Sequence, residues 1–248
     1  YINNKKICFM SIISYIYQNY TQNMLNLPNV TLVCVSSVEI ENSIKSLLYS
    51  AKEINFGAIK LITHVEVEPD KSIKVETCRH LNSLDAYSHY MIYDLYKHID
   101  TEFCLTVQHD AYVTNPECWT DDFLKYDYIG APWPYMDVGF LDPFNNHIRV
   151  GNGGFSLRSK KLLSVVDHEH IPIAATMHDK FYNHLDLMCA NEDYIVCVHN
   201  RHIYEKYGNI FAPIDVAAKF SFEVEIEEFK DVKSFGQHGT SITKILQN

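Results

Sequence analysis

Asp110 ends the tripeptide Gln108-His109-Asp110, directly after the short apolar run FCLTV at 103–107. Such a run suits a strand buried in a sheet, and ligands of open α/β sheets gather at the carboxyl ends of strands. A carboxylate delivered there can hold a metal ion, or it can simply cap the turn that follows. Glu192 and Asp193 open an apolar segment of helical character. A carboxylate pair there can do general acid–base work or merely complement a helix N-terminus. His238 lies in FGQHG, a glycine-flanked turn that presents an imidazole. Gly151, Gly153 and Gly154 let a backbone pass close to a ligand, or serve only a tight bend. Trp133 has proline on both sides, which presents its ring for stacking on a sugar or base unless the ring is core. Arg158 reads equally as a salt-bridge partner and as a phosphate contact.

The elements that must position these groups follow from periodicity. VTLVCV at 30–35 reads as a buried strand, a helix is predicted over 41–54, and AIKLIT at 58–63 reads as a second strand. Strand, helix, strand opens a βαβ unit and favours a parallel sheet. A polar stretch at 66–80 is a loop or edge strand, and a helix over 82–99 repeats Leu84, Tyr87, Met91 and Leu95 on one face. YDYIGAPW at 126–133 reads as a strand into a rigid turn, Phe155 begins another strand, and a helix follows over 159–166. The segment from Asn191 is helical to Tyr207, where Gly208 stops it, and KFSFE at 219–223 alternates as a strand. Residues 1–28 carry no motif and read as an N-terminal arm or the remnant of a preceding region. Residues 29–248 read as one domain. The chain starts at Tyr1 rather than Met, so it is expected to be cut from something longer.

Composition narrows the classes. With 47% hydrophobic and 21% charged residues, the 248-residue chain is that of a globular protein with a sizeable core. A net charge of −10 excludes a general nucleic-acid binder, which needs a surplus of Lys and Arg to neutralise phosphates. The seven cysteines are odd in number and form no C-x-x-C, which fits free thiols in a reducing compartment and disfavours a structural zinc site. A cytoplasmic location, with membrane-peripheral association as the variant, is the expectation. No run approaches the ~18 apolar residues of a spanning helix, so no transmembrane segment is expected in this chain.

The order of signals is specific: QHD, YDYIGAPW, GNGGFSLRS, an E-D pair and FGQHG. This order resembles the GT-A superfamily of nucleotide-sugar glycosyltransferases, in particular a branch with Q-x-D-G, YDYIGAPW, VGNGGFSLRS, E-D and F-G-x-H-G. The resemblance spans Asn29 to Gly239. It implies an α/β fold, a single GT-A-like (Rossmann-like) domain with a mostly parallel central sheet flanked by helices. It also implies that Asp110 and His238 bind a metal, that Asp193 is the catalytic base of an inverting reaction, and that Glu192 orients the acceptor or the base. Gln108 stands where many such enzymes have a first Asp, so it is expected to touch the ribose or a ligand water. Val35 and Ser36, Thr63 and Arg158 complete the expected donor site, and Trp133, Gly153, Gly154 and Phe155 the substrate site. Ala111 replaces the branch's Gly, and its Cβ could narrow the donor pocket or reduce activity.

The implied chemistry is coherent. Glycosyl transfer expels a nucleoside diphosphate, and a divalent cation bridging the phosphates meets the charge that develops. One carboxylate plus one imidazole suits Mn²⁺ better than Mg²⁺. An acceptor hydroxyl must lose a proton, for which one carboxylate suffices. A helix N-terminus would lower the pKa of Asp193 by roughly 0.3–1 kcal/mol, under one unit, which burial can offset. The expected function is metal-dependent transfer of a sugar from a nucleotide-sugar donor, UDP-linked by first choice, to a hydroxyl of a glycan or other acceptor. The alternatives are a nucleotide-sugar hydrolase or nucleotidyltransferase, and a non-catalytic glycan-binding module.

Overall fold

A computed structural model describes residues 24–137, 140–173 and 191–246. Of the expected arm over 1–28, residues 1–23, with Cys8, lie outside the described residues, as does the segment holding His178, His184 and Cys189; residues 25–28 belong to a strand rather than an arm.

Strand β1 (Leu25–Val35) is the centre of the molecule. Val33 and Val35 pack into one core, whereas Val30, Leu32 and Cys34 pack into a second core on the opposite face. A strand covered on both faces must be apolar at nearly every position, which is why VTLVCV is unbroken rather than alternating. Helix α1 (Ile40–Ser50) carries the chain to β2 (Ile54–Thr63), and β3 (Lys74–Thr77) adds a parallel edge. Helix α2 (Leu84–Tyr93) and a tighter turn, Leu95–His98, lead to β4 (Phe103–Val107) on the other side of β1. Leu47 of α1 lies in one core, and Tyr90, Met91 and Ile92 of α2 lie in the other, so the two helices cover opposite faces. Because the order turns about β1, a crevice opens between the carboxyl ends of β1 and β4.

The six-stranded sheet has the order β3-β2-β1-β4-β7-β6. Strand β7 (Phe155–Ser159) is antiparallel to both β4 and β6 (Tyr128–Ile129), and the remaining pairs are parallel. The mostly parallel sheet flanked by helices therefore stands as the sequence implies. A smaller sheet, which the periodicity does not predict, has the order β5-β9-β8. Its strands are β5 (Tyr112–Val113), β8 (Ser221–Phe222) and β9 (Gly236–Gln237). It rests on a cluster of Phe123, Phe155, Phe220 and Phe235, whose rings meet at tilted or edge-on angles.

Several boundaries differ from the sequence reading for identifiable reasons. Strand β1 begins five residues early, at Leu25, because it resumes pairing across a register shift around Pro28, which has no N–H to give the ladder. The strand expected over 219–223 shrinks to Ser221–Phe222, because the helix Ile214–Phe220 runs into it and buries Ala217, Ala218 and Phe220. Only Tyr128–Ile129 of YDYIGAPW forms strand; beyond it Pro132 makes a single bridge to Val150. Among the described residues no helix is long and apolar enough to cross a membrane, and five described cysteines are free thiols.

Candidate active site

Asp110 and His238 are 128 positions apart in sequence and adjacent in space. His238 Nε2 lies 3.5 Å from Asp110 Oδ1, an oxygen sealed from solvent that has no hydrogen-bond partner. The small sheet produces this meeting. Asp110 leads into β5, His238 leaves β9, and the His238 N–H donates to the Phe222 carbonyl of β8 at 2.9 Å. The same pairing brings Glu223, just past β8, to 3.1 Å from His238 Nδ1. Burial disfavours charge on His238, but the Glu223 hydrogen bond and the negative charge of Asp110 outweigh it and hold the imidazole pKa above its usual value.

Asp193 approaches from the other core. It belongs to a short helical turn, Glu192–Tyr194, that continues as a π-helical turn, Ile195–His199, and then the helix Arg201–Lys206. Its Oδ2 accepts the Gly153 N–H at 2.9 Å and its Oδ1 accepts the Tyr194 N–H at 2.7 Å. Burial and the neighbouring Glu192 charge push its pKa up to about 7, against the lowering by those two N–H groups. The carboxyl is thus poised where a general base works best near neutral pH. Desolvation by the protein alone overrides the helix-terminus effect.

The glycine run is explained by what surrounds it. A Cβ on Gly153 would lie 2.2 Å from Glu192 Oε1, and one on Gly154 would lie 2.3 Å from His238 Nε2. The glycines make room for the acids and the imidazole themselves. A backbone carrying side chains here would push apart the groups that converge.

Two adjoining clefts open beside these residues; His238 and Asp193 line the smaller, and Asp110 lies behind His238 and lines neither. The larger, of about 500 Å³, lies in the crevice at the ends of β1 and β4 and is lined by Val35, Ser36, Leu81, Tyr87, Gln108 and His109, among others. The smaller, of about 290 Å³, is lined by Trp133, Asn152, Gly154, Asp193, Glu223 and His238, together with Glu192. Leu84, Tyr87 and Gln108 line both, and Gln108 Nε2 donates to the Tyr87 hydroxyl at 3.1 Å. Gln108, Val35 and Ser36 thus lie on the walls of the larger cleft.

Other expected site residues are placed elsewhere. Thr63 is buried at the end of β2, where its Oγ1 accepts the Val65 N–H, and it reaches neither cleft. Phe155 is wholly buried among Phe220 and Phe235, under the small sheet. Trp133 stacks on Phe140 at 4.2 Å and is 7% exposed, so its face is already occupied and it offers only part of the smaller cavity's wall. Gly153 lines neither cleft, because Glu192 and Asp193 cover it. The Cβ of Ala111 is buried in the core, away from both clefts.

Arg158 is the clearest correction. It is 1% exposed on β7, a strand flanked by β4 and β6, so no phosphate can reach it. Its Nη2 donates to Glu192 Oε1 at 2.7 Å and its Nε to Ser156 Oγ at 3.0 Å. The pair occupies Oε1 of Glu192, the carboxylate expected to orient the acceptor or the base. Replacing Arg158 by Met leaves Glu192 buried and unpaired, for which a loss of about 3–5 kcal/mol is expected. Urea denaturation would measure it, and Arg158→Met combined with Glu192→Gln should recover much of that loss. An unchanged midpoint in the single variant would contradict this assignment.

Glu223, Asn152 and Tyr87 contribute to the clefts without having been singled out from sequence. Glu223 ends an alternating stretch in which Phe220 and Phe222 draw attention, and nothing local marks the acid.

A family model described as "Protein of unknown function (DUF5672)" matches residues 71–238, well over half of the chain. The chain belongs to this family. The matched DUF5672 region takes in Asp110, Asn152, Glu192, Asp193, Glu223 and His238, and leaves out Val35, Ser36 and Thr63. No curated protein matches the chain in sequence. Among solved structures, it is similar to galactosyltransferase LgtC, solved in complex with donor and acceptor sugar analogues. That likeness covers 84% of this chain and 86% of the other, with a TM-score of 0.51 at 12% identity. At such an identity it speaks to fold, and the fold is that of the GT-A glycosyltransferases.

Proposed function

We propose that this DUF5672 protein is a glycosyltransferase that moves a sugar from a nucleotide-sugar donor, UDP-linked by first choice, to an acceptor hydroxyl with inversion. The observation that carries the reading is the orphaned Asp110 Oδ1 facing His238 Nε2, with His238 and Asp193 both on the wall of the smaller cleft. A buried carboxylate oxygen facing an imidazole nitrogen fits a divalent cation, Mn²⁺ ahead of Mg²⁺. Among the described residues, no group of three or more His, Cys, Asp or Glu side chains is arranged to hold an ion. Asp110 and His238 would therefore share the cation with oxygens of the donor diphosphate. Bound there, it would neutralise the charge that gathers on the leaving diphosphate.

The chain's own groups would do the rest. The larger cleft would seat the nucleoside against the end of β1, and Gln108, fixed by Tyr87, would meet the donor at the junction. In the smaller cleft Asp193 would accept the proton of the attacking hydroxyl at a free carboxylate lone pair. Glu192 would act through Asp193, as a positioning residue held by Arg158.

Calorimetry of UDP with Mn²⁺, followed by assay of UDP release from UDP-sugars with and without sugar acceptors, tests the reading. Binding that requires Mn²⁺ and release accelerated by an acceptor are expected. Release at the same rate without acceptor would make the protein a hydrolase, and failure to bind any nucleoside diphosphate would make it a non-catalytic module.

A further inference from the structure

We propose that Glu223, held in place by Asn152, is a clamp on His238 that fixes which ring nitrogen carries the proton, turning the Nε2 lone pair toward Asp110. This inference rests on reading the cleft as a cation site, and it assigns the residues that prepare that site. Three observations bear on it. Glu223 Oε1 lies 3.1 Å from His238 Nδ1. Asn152 Nδ2 donates to that same Glu223 oxygen at 2.7 Å and so holds the carboxylate, while its 3.0 Å approach to Nδ1, a neutral contact that would suit a lone pair there, is the weaker influence beside the charged Glu223. Asn152 is itself buried, and its Oδ1 accepts the Phe155 N–H at 3.4 Å, so its amide nitrogen is turned toward the carboxylate.

A neutral imidazole has one N–H and one lone pair. Were the proton on Nε2, the Nδ1 lone pair would face a carboxylate oxygen at 3.1 Å, and the Nε2–H would find Asp110 Oδ1 only at 3.5 Å, too long for a good hydrogen bond. With the proton on Nδ1, that contact becomes a hydrogen bond to an ionised acceptor, roughly twice as strong as a neutral one. Nε2 is then left with its lone pair toward Asp110 Oδ1, which accepts no hydrogen bond. Two electron-rich atoms 3.5 Å apart would supply two of the roughly six ligands that Mn²⁺ takes. Partners that orient a metal-binding histidine through its second nitrogen set its tautomer and its basicity. The β8–β9 pairing fixes the spacing, because Glu223 and His238 each step off the end of a paired strand.

The test uses the full chain and Mn²⁺ as probe. Nitrogen-15 spectra of the histidine rings, at a pH high enough for the ring to be neutral, report the His238 tautomer. Electron paramagnetic resonance reports Mn²⁺ affinity. The proton is expected on Nδ1 in the unaltered protein. Glu223→Ala is expected to mix the tautomers and weaken Mn²⁺ binding by about 10–100-fold. Glu223→Gln keeps an oxygen that can accept the Nδ1 proton and should retain more affinity than Ala; it also serves if the Ala variant fails to fold. A proton on Nε2 in the unaltered protein, or affinity unmoved in both variants, would overturn the clamp. If the unaltered protein binds no Mn²⁺, the cation reading of the cleft fails, while the ring spectra still decide the tautomer.

Discussion

Asp193→Asn is expected to slow sugar transfer by about two to four orders of magnitude while leaving Mn²⁺-dependent UDP binding as it was. An amide cannot take the acceptor proton, and Asp193 lines the smaller cleft and not the larger one proposed to seat the nucleoside. Because its pKa is pushed up to about 7 by burial and by Glu192, the carboxyl is largely protonated below that pH and useless as a base. The rate in the unaltered protein should therefore rise with pH and level off above about 7. The residual rate of the Asn variant should lack that rise. Full transfer in the variant would remove Asp193 from the reaction. A variant with impaired UDP binding would instead show that the two hydrogen bonds from Gly153 and Tyr194 hold the cleft together.

The second large effect is expected at Asp110. Asp110→Asn keeps the size of the side chain but removes the charge that would share a cation with His238. Metal stabilisation of a leaving group is worth several kcal/mol. At 1.36 kcal/mol per decade, turnover should fall by about a hundredfold or more. A second readout is independent of turnover. Asp110 is one of the groups that raise the His238 pKa, so its neutralisation should lower that pKa, which a proton-NMR titration of the ring would follow. In the unaltered protein, cation and proton compete for Nε2, so Mn²⁺ affinity should fall as the pH drops through the raised His238 pKa. Mn²⁺ affinity and turnover unchanged in Asp110→Asn would end the metal assignment.

The main sheet was readable where burial on two faces leaves a mark in the residues. FCLTV at 103–107 is β4 to the residue, because its neighbours β1 and β7 cover it on both edges and cores press on both faces. The polar triplet after it marks the strand's end, and the crevice lies there. Arg158 was not readable in the same way. A lone arginine in a strand looks the same from sequence whether it faces a phosphate or a buried acid 34 positions later. The glycines at 153 and 154 were rightly singled out as a close approach, but what approaches is protein rather than ligand. Glu223 is not legible as a site residue because the alternation over 219–223 marks a strand but not its partner, and the link from β8 to β9 is purely tertiary.

The small sheet has a thermodynamic consequence. Its three strands are two residues long each, and the segments meeting there come from positions near 110, 222 and 237. So few ladder bonds give such an assembly little cohesion of its own. Whatever ion or ligand bridges the carboxylate leading into one strand and the imidazole leaving another ties those remote lengths of chain into one cooperative unit. Occupancy and local folding are then a single equilibrium, and amides of this sheet should exchange with solvent more slowly once the cleft is filled.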